Sequence, residues 1–270
     1  MTNLQLQTSL KARGLFRCAV AALLLTCSMV SVAAANPVFS VHLGASFWDA
    51  DVSGSVGQTS NAFDLSGEFS DSSAETSTIY VAVEHFVPIL PDLRVARTPI
   101  SWTGSSDSAA GTLGGFIPLS GEIDAEIDLD MTDLTLYYEV LDNFVSLDIG
   151  LTGRLLDGFV QAAEVTVNDI SATVDRINIE TVIPMLYASA RFDLPFSGLA
   201  VGVRGNAIAF EGNNLTDLEA FVHLEFDFIP FVDIGIQGGF RSLTLDIDDL
   251  DDLNSDATID GAFVGLTASF

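Results

Sequence analysis

Hydrophobic and polar residues alternate with a period of two along most of this chain. The segment 216–229 shows the pattern clearly, since Leu218, Val222 and Leu224 share one parity whereas Asp217 and Glu219 share the other. Successive side chains of a β-strand point to opposite faces of the sheet. The alternation therefore predicts strands that have one apolar face and one polar face.

The same pattern predicts ten strands, at 39–52, 75–86, 93–103, 131–141, 144–157, 178–194, 199–212, 216–229, 231–247 and 256–270. Four connections between them are short turns, and the others are generally longer and polar, the longest being 104–130. Bacterial outer-membrane barrels have an even number of antiparallel strands, short periplasmic turns and longer outer loops. We therefore expect an all-β chain that forms a closed antiparallel transmembrane β-barrel, with its apolar parity toward lipid and its polar parity toward the lumen.

The chain closes on an apolar stripe of one parity that ends in an aromatic residue: Ala262, Val264, Leu266, Ala268 and Phe270. This stripe resembles the C-terminal strand by which the barrel-assembly machinery recognises outer-membrane barrels, so Phe270 is the predicted assembly signal. A short apolar alternation would also close a soluble β-sandwich. Aromatic residues at the short-turn ends favour the barrel, because they match the girdle of a membrane barrel: Phe86, Phe144, Phe196, Phe228, Phe231 and Phe270.

The N-terminus has the pattern of a secretory signal peptide. A basic region with Lys11, Arg13 and Arg17 precedes the apolar segment 18–32, and alanines at 33–35 supply a cleavage site before Asn36. The apolar segment is short for a transmembrane anchor. A lipoprotein signal at Cys27 is the other alternative, although Thr26 is a poor residue before a lipidated cysteine. We predict a signal peptide at 1–35 and a barrel at 36–270.

Composition narrows the function further. Both cysteines lie in the predicted signal, so the mature chain has no disulfide or thiol chemistry. The mature chain keeps seven arginines as its basic residues against 37 acids, a net charge of −30. Nucleic acid is therefore excluded as a partner, because binding to its phosphates needs basic residues. The expected partners are outer-membrane lipids and lipopolysaccharide.

Four arginines take the inward parity of their strands: Arg154, Arg191, Arg204 and Arg241. Inward acids include Glu139, Asp148, Glu219, Glu225 and Asp233. Unpaired charges in a narrow barrel are costly, and an arginine can satisfy two carboxylates. We predict a lumenal network that includes His223. Strand position brings Arg191 level with Asp148, Arg204 with Glu225 and Arg241 with Glu219. The network either fixes the strand register or forms an ion path.

Residues of the opposite parity should face lipid near the middle of the membrane. The set is Leu147, Ile149, Val222, Leu224, Ile234 and Ile236. An arginine at the midplane of a barrel's lipid face costs about 2–4 kcal/mol.

An acidic segment between the last two strands is the only candidate for metal binding. Its residues are Asp246, Asp248, Asp249, Asp251 and Asp252. Oxygen ligands suit Ca²⁺ or Mg²⁺, but the segment lacks the glycine and glutamate of an EF-hand. The alternatives are a solvated acidic rim, which the missing EF-hand residues favour, and a rim that shares divalent ions with lipopolysaccharide phosphates. No cofactor is otherwise expected.

Three segments resemble an uncharacterised family of proteobacterial outer-membrane β-barrel proteins. They are 137–148 (YYEVLDNFVSLD), 184–195 (PMLYASARFDLP) and 246–253 (DIDDLDDL). Trp48 and the terminal Phe270 fit the same family, and the resemblance covers essentially the whole mature chain. It implies an outer-membrane barrel and no particular activity.

The sequence predicts a barrel without catalytic activity. His42, His85 and His223 lie toward the periplasmic ends of their strands, away from the outer rim where barrel enzymes act on lipid or peptide. Eight strands already enclose a lumen that side chains fill, so ten leave a plugged or very narrow one. The chain is then a structural or surface component, or a narrow pore. A rim-acting enzyme and a soluble periplasmic ligand-binding β-protein remain the alternatives.

Overall fold

The computed structural model describes residues 39–58, 61–65, 69, 73–111, 119–164, 173–210, 213–229, 232–250 and 253–270. The predicted signal peptide lies outside the described residues, as do Phe231 and the side chain of Phe228 in the predicted girdle. In the described part, no helix is long and apolar enough to cross a membrane.

The described strands form one closed antiparallel barrel. In chain order they are β1 (Phe39–Gln58), β2 (Asn61–Asp64), β3 (Ser73–His85), β4 (Asp92–Gly111), β5 (Leu119–Asp142), β6 (Val145–Glu164), β7 (Thr173–Leu194), β8 (Leu199–Phe210), β9 (Asn213–Ile229), β10 (Val232–Leu250) and β11 (Leu253–Ser269). β2 pairs only with the far end of β1, so ten strands make the wall. β11 closes it on β1, and the backbones of Val41 and Phe270 exchange two hydrogen bonds of 3.2 and 3.0 Å.

The strands are staggered strongly around the wall. Paired residues followed strand by strand from Val41 on β1 return to β1 at Ser53, which is 12 residues further along. A ten-stranded barrel with this stagger has its strands tilted by about 40°, within the range of membrane barrels. We call the end where β3 meets β4 and β5 meets β6 the turn end, and the opposite end the loop end.

The outward face carries an apolar band next to the turn end. On β1 the outward apolar residues run from Phe39 to Phe47, which at this tilt is a height of about 20 Å. Ile149 and Val222, predicted to face lipid, are 52% and 49% exposed on this band. Leu224 also faces outward, but it pairs with Leu199 at the start of β8, so it lies near the turn end and not near mid-band as expected.

Beyond the apolar band the wall reverses its polarity. On β5, Leu134 and Leu136 face outward within the band, whereas the outward residues further along are acidic, as at Asp128. The inward residues of that part are apolar, and Ile123 and Ile127 are buried. The loop predicted at 104–130 is therefore wrong, because β4 and β5 continue through most of it. Other strands also run past their expected ends near the loop end.

Candidate functional site: the barrel lumen

Charged residues form a rim around the lumen at the turn end. His42 Nε2 lies 3.0 Å from Glu84 Oε2, and the Tyr137 hydroxyl donates to the other Glu84 oxygen at 2.9 Å. Arg191 pairs with Asp193, two residues along the same strand, at 2.8 Å. The side chains of both residues are more than a third exposed, so water reaches this rim.

A second layer, further inside, is built around an aromatic ring. The guanidinium of Arg94 lies 4.3 Å from the centre of the Tyr80 ring, and that of Arg204 lies 5.9 Å from the same centre. Arg204 pairs with Glu219 through Nη2. Gly44 makes room for the ring, because a Cβ at that position would lie 2.1 Å from a ring carbon of Tyr80.

A third layer is a buried ionic cluster. Arg154 donates to both oxygens of Asp133 at 2.7 Å and to Asp217 at 2.6 Å. Arg241 donates to both oxygens of Asp217 at 2.9 and 2.8 Å and stacks 4.7 Å above the Trp48 ring. Arg154 is 1% exposed and Asp217 5%, so Asp217 holds two guanidiniums in a site from which water is excluded.

Hydroxyl groups extend this cluster across the lumen. Arg241 donates to Thr78 at 3.0 Å. On the opposite wall the hydroxyls of Thr135 and Thr152 lie 2.8 Å apart, and Thr152 donates to the side-chain oxygen of Asn206 at 2.6 Å. This layer therefore ties together strands that do not pair with each other.

Apolar side chains pack the lumen between the ionic cluster and the loop end. The buried members include Trp48, Ile100, Trp102, Ile127, Met131, Met185, Leu215, Leu243 and Ile259. The hairpin of β2 covers this core, because Phe63 and Leu65 are buried. Phe69 follows them along the chain and packs edge-on against Trp102 at 5.6 Å between ring centres. We call this part of the lumen the outer core.

The structure assigns the predicted lumen residues different partners from those expected. Arg191 pairs with Asp193 and not with Asp148. Arg191 and Asp193 are two residues apart on β7, so their side chains lie on the same face of that strand at the rim. Arg204 takes Glu219, its direct neighbour across β8 and β9, and not Glu225. Because Glu219 pairs with Arg204, Arg241 forms its ion pair with Asp217 instead.

The remaining predicted members lie at the edge of the network. His223 hydrogen-bonds with Thr267 on β11 at 2.8 Å, and among the described residues it has no hydrogen bond to an arginine. Glu139 and Asp233 are exposed at the turn end, where no lumen wall covers them. Asp148 sits inside the same end with one carboxylate oxygen buried and unpartnered among the described residues.

Residues that the sequence analysis missed carry much of the lumen chemistry. Asp133 and Glu84 lie on inward parity, and their carboxylates pair with Arg154 at 2.7 Å and with His42 at 3.0 Å. Arg94 was also missed, although its inward parity was readable on β4. Parity identifies such residues, but the choice of partner depends on stagger across strands, which alternation does not specify.

The predicted metal segment is only partly described. Asp246 faces outward on β10 and is exposed. Asp251 and Asp252 lie outside the described residues, as do the side chains of Asp248 and Asp249. Elsewhere in the described part, no group of three or more His, Cys, Asp or Glu side chains is arranged to hold a metal ion.

No protein-family model matches the chain, and no curated protein matches it in sequence. Solved structures of bacterial outer-membrane proteins share its fold at very low identity. They include the outer membrane protease OmpT from Escherichia coli (TM-score 0.46, 9% identity, 89% of this chain and 99% of that chain). The translocator domain of the autotransporter NalP from Neisseria meningitidis is similar as well (0.39, 10%, 97% and 96%). So is a FadL homologue of Pseudomonas aeruginosa (0.37, 10%, 87% and 90%). This chain is an all-β protein with the closed antiparallel barrel fold found in such proteins.

Proposed function

We propose that this chain is an integral protein of a bacterial outer membrane, without catalytic activity, whose lumen is closed toward the outside. It serves as a structural or surface component of that membrane and not as a pore. In this arrangement the turn end faces the periplasm and the loop end faces the exterior, as in other bacterial barrels.

The observation that carries the proposal is the packing of the outer core. Trp48 and Trp102 are 0% and 1% exposed, and Met131 and Met185 are 3% and 2% exposed. Apolar side chains packed at the density of a protein interior exclude water and ions. The ionic cluster beneath them adds a second closed layer, since its charges are already paired with one another.

Single-channel recording in planar bilayers tests the closed lumen. The wild-type barrel should give no stable conductance steps. A variant with Trp102→Ala, Met131→Ala and Met185→Ala removes much of the outer core, and adding Asp133→Ala and Arg154→Ala removes a charge-balanced half of the ionic cluster beneath it. This fivefold variant should conduct, which would prove that insertion is detectable. Heat-modifiable gel mobility would verify that both proteins are folded. Stable, uniform steps from the wild type would contradict the proposal and favour a narrow pore.

The outward face supports a membrane location over a soluble periplasmic protein. Large apolar residues are exposed around the band, among them Leu136, Leu151, Leu186 and Leu266 at 46–69%. A soluble protein rarely exposes so continuous an apolar surface. The acids beyond the band suit divalent ions that bridge to lipopolysaccharide phosphates. Fractionation should recover the protein in the outer membrane, and recovery in the soluble periplasm would contradict this location.

The placement of the histidines supports a role without catalysis. All three histidines of the chain, His42, His85 and His223, lie at or near the turn end. An enzyme that uses histidine as a base at the outer rim would need one of them beyond the outer core. Lipase and peptidase assays on the reconstituted protein should therefore show no activity above that of empty vesicles.

A further inference from the structure

We propose that the turn end of the lumen binds a small oxyanion, a carboxylate or a phosphate, between Arg94 and Arg204. We call this space the inner cup. Its ceiling is the ionic cluster and its mouth is the charged rim. The site does not depend on whether the outer core is closed, because it opens toward the turn end.

The first observation is an arginine without a partner. Among the described residues, Arg94 makes no hydrogen bond and no ion pair, and its guanidinium lies over the face of Tyr80. A guanidinium has five N–H donors in a planar fork and no acceptor. Arg94 therefore has the full donor set needed to hold a carboxylate or phosphate with two hydrogen bonds.

The second observation is the charge balance around the Tyr80 ring. Arg94 and Arg204 both approach this ring, and the carboxylate of Glu219 pairs with Arg204 alone. The Nε atom of Arg204 is buried without a hydrogen-bond partner in the described part of the lumen. Arg94 is therefore left without an anionic partner among the described residues, and an oxyanion would neutralise its charge.

Exposure shows how a ligand would enter. The side chains of Arg204 and Glu219 are each 16% exposed, and exposure rises to 34% at Arg191 on the rim. Above the cup, Arg154 is 1% exposed. The cup is therefore open at the turn end and closed toward the loop end, so the ligand would come from the periplasmic side.

The rim acids affect the strength of binding. Asp193 is paired with Arg191, which removes much of its repulsion for an anion, and Glu84 is hydrogen-bonded to His42. Glu139 is exposed at the mouth and has no basic partner in the described part of the chain. Its charge opposes the entry of an anion, so neutralising it should strengthen binding, whereas neutralising Arg94 should weaken it.

Calorimetric titration of the folded barrel in detergent micelles tests the site, with inorganic phosphate and acetate as separate probes at constant ionic strength in chloride. The wild type should show saturable binding of one or both. Arg94→Gln should weaken the affinity about tenfold or more, because a hydrogen bond to a charged group is worth about 1.5–3 kcal/mol. Glu139→Gln should strengthen it. The preferred probe identifies a carboxylate or a phosphate as the ligand class.

Arg97→Gln is the matched control, because Arg97 lies on the outward face of β4, where it is 57% exposed and paired with Asp130, and its loss should change the affinity less than twofold. Heat-modifiable mobility checks that each variant is folded. If Arg94→Gln does not fold, Arg94→Lys keeps the charge, loses the two-pronged contact and should still weaken binding. The proposal is overturned if the wild type binds neither probe saturably, or if the variant at Arg94 binds as well as the wild type.

Discussion

Asp217 is the residue on which the middle of the lumen depends most. Both of its oxygens accept hydrogen bonds from Arg241 on β10, and one of them also accepts from Arg154 on β6. A carboxylate in this position has no access to water, so it is stable only with its cations. Arg241 depends on it more than Arg154 does, because the other hydrogen-bond partners of Arg241 in the described residues are threonine hydroxyls, whereas Arg154 also pairs with Asp133.

Asp217→Asn should therefore destabilise the folded barrel strongly. Removing one partner of a buried ion pair costs about 3–5 kcal/mol, because the other charge remains buried. The free energy of unfolding in urea, measured in lipid vesicles, is the readout. Asp193→Asn breaks an exposed pair and should cost about 1 kcal/mol or less. Equal losses for the two variants would mean that burial does not set the strength of the cluster.

At the scale of the element, β5 shows how one strand serves two environments. Its inward parity stays the same from Ile123 to Glu139, but the chemistry of that parity changes at Met131. From there toward the turn end, the inward residues are mostly polar and the outward ones apolar. Toward the loop end, the inward residues are apolar and the outward ones are largely acidic. A search for alternation that assumes apolar residues outward and polar residues inward along the whole strand misses the half of β5 toward the loop end.

The outer half of β5 gives a matched pair of substitutions. Ile127→Asp places a charge in the outer core and should cost about 3 kcal/mol or more in unfolding free energy, through the lost apolar contacts and the buried carboxylate. Asp128→Asn, one residue along and facing outward, should change stability by less than about 0.5 kcal/mol. If the first variant were as stable as the second, the outer lumen would be hydrated and not packed.

The apolar band also predicts graded effects along the strands. Ile149→Arg should cost about 2–4 kcal/mol, because Ile149 lies well inside the band, whereas the cost near a membrane interface falls to about 0–1 kcal/mol. Leu224→Arg should show that smaller cost, since Leu224 pairs with the first residue of β8. Unfolding in vesicles measures both variants. A larger loss at Leu224 than at Ile149 would place the band differently.

At the scale of the whole molecule, the sequence predicted the barrel well and its details less so. Strand number and parity follow from alternation, which is a local property, and ten wall strands are what the structure has. The ion pairs depend on a stagger of 12 residues accumulated over all ten strands, and no local pattern encodes that sum. The outer core was missed for a related reason. The strand segments that form it carry acidic residues on their outward face, and those acids resembled loop residues.

The closing strand leads to a prediction about assembly. Phe270 joins β11 to β1 through two backbone hydrogen bonds with Val41. Deleting Phe270 removes both bonds and the terminal aromatic, so the amount of folded barrel in the outer membrane should fall. Heat-modifiable mobility of membrane fractions measures it. Phe144→Ala removes another exposed aromatic at the turn end and should assemble normally. Normal assembly without Phe270 would argue against its role as the signal.

The reversal of polarity along the wall also fixes how deep the barrel sits. If it sank by one pair of residues, outward acids such as Asp49 on β1 and Asp260 on β11 would enter hydrocarbon. If it rose by the same amount, Phe39 and Phe144 would leave the interface for water. Both displacements are unfavourable, so in the proposed membrane location the apolar band fixes the depth of the barrel and the hydrocarbon thickness that suits it. In a bilayer much thicker than its apolar band, the lipid around it would have to thin to meet the ring of carboxylates.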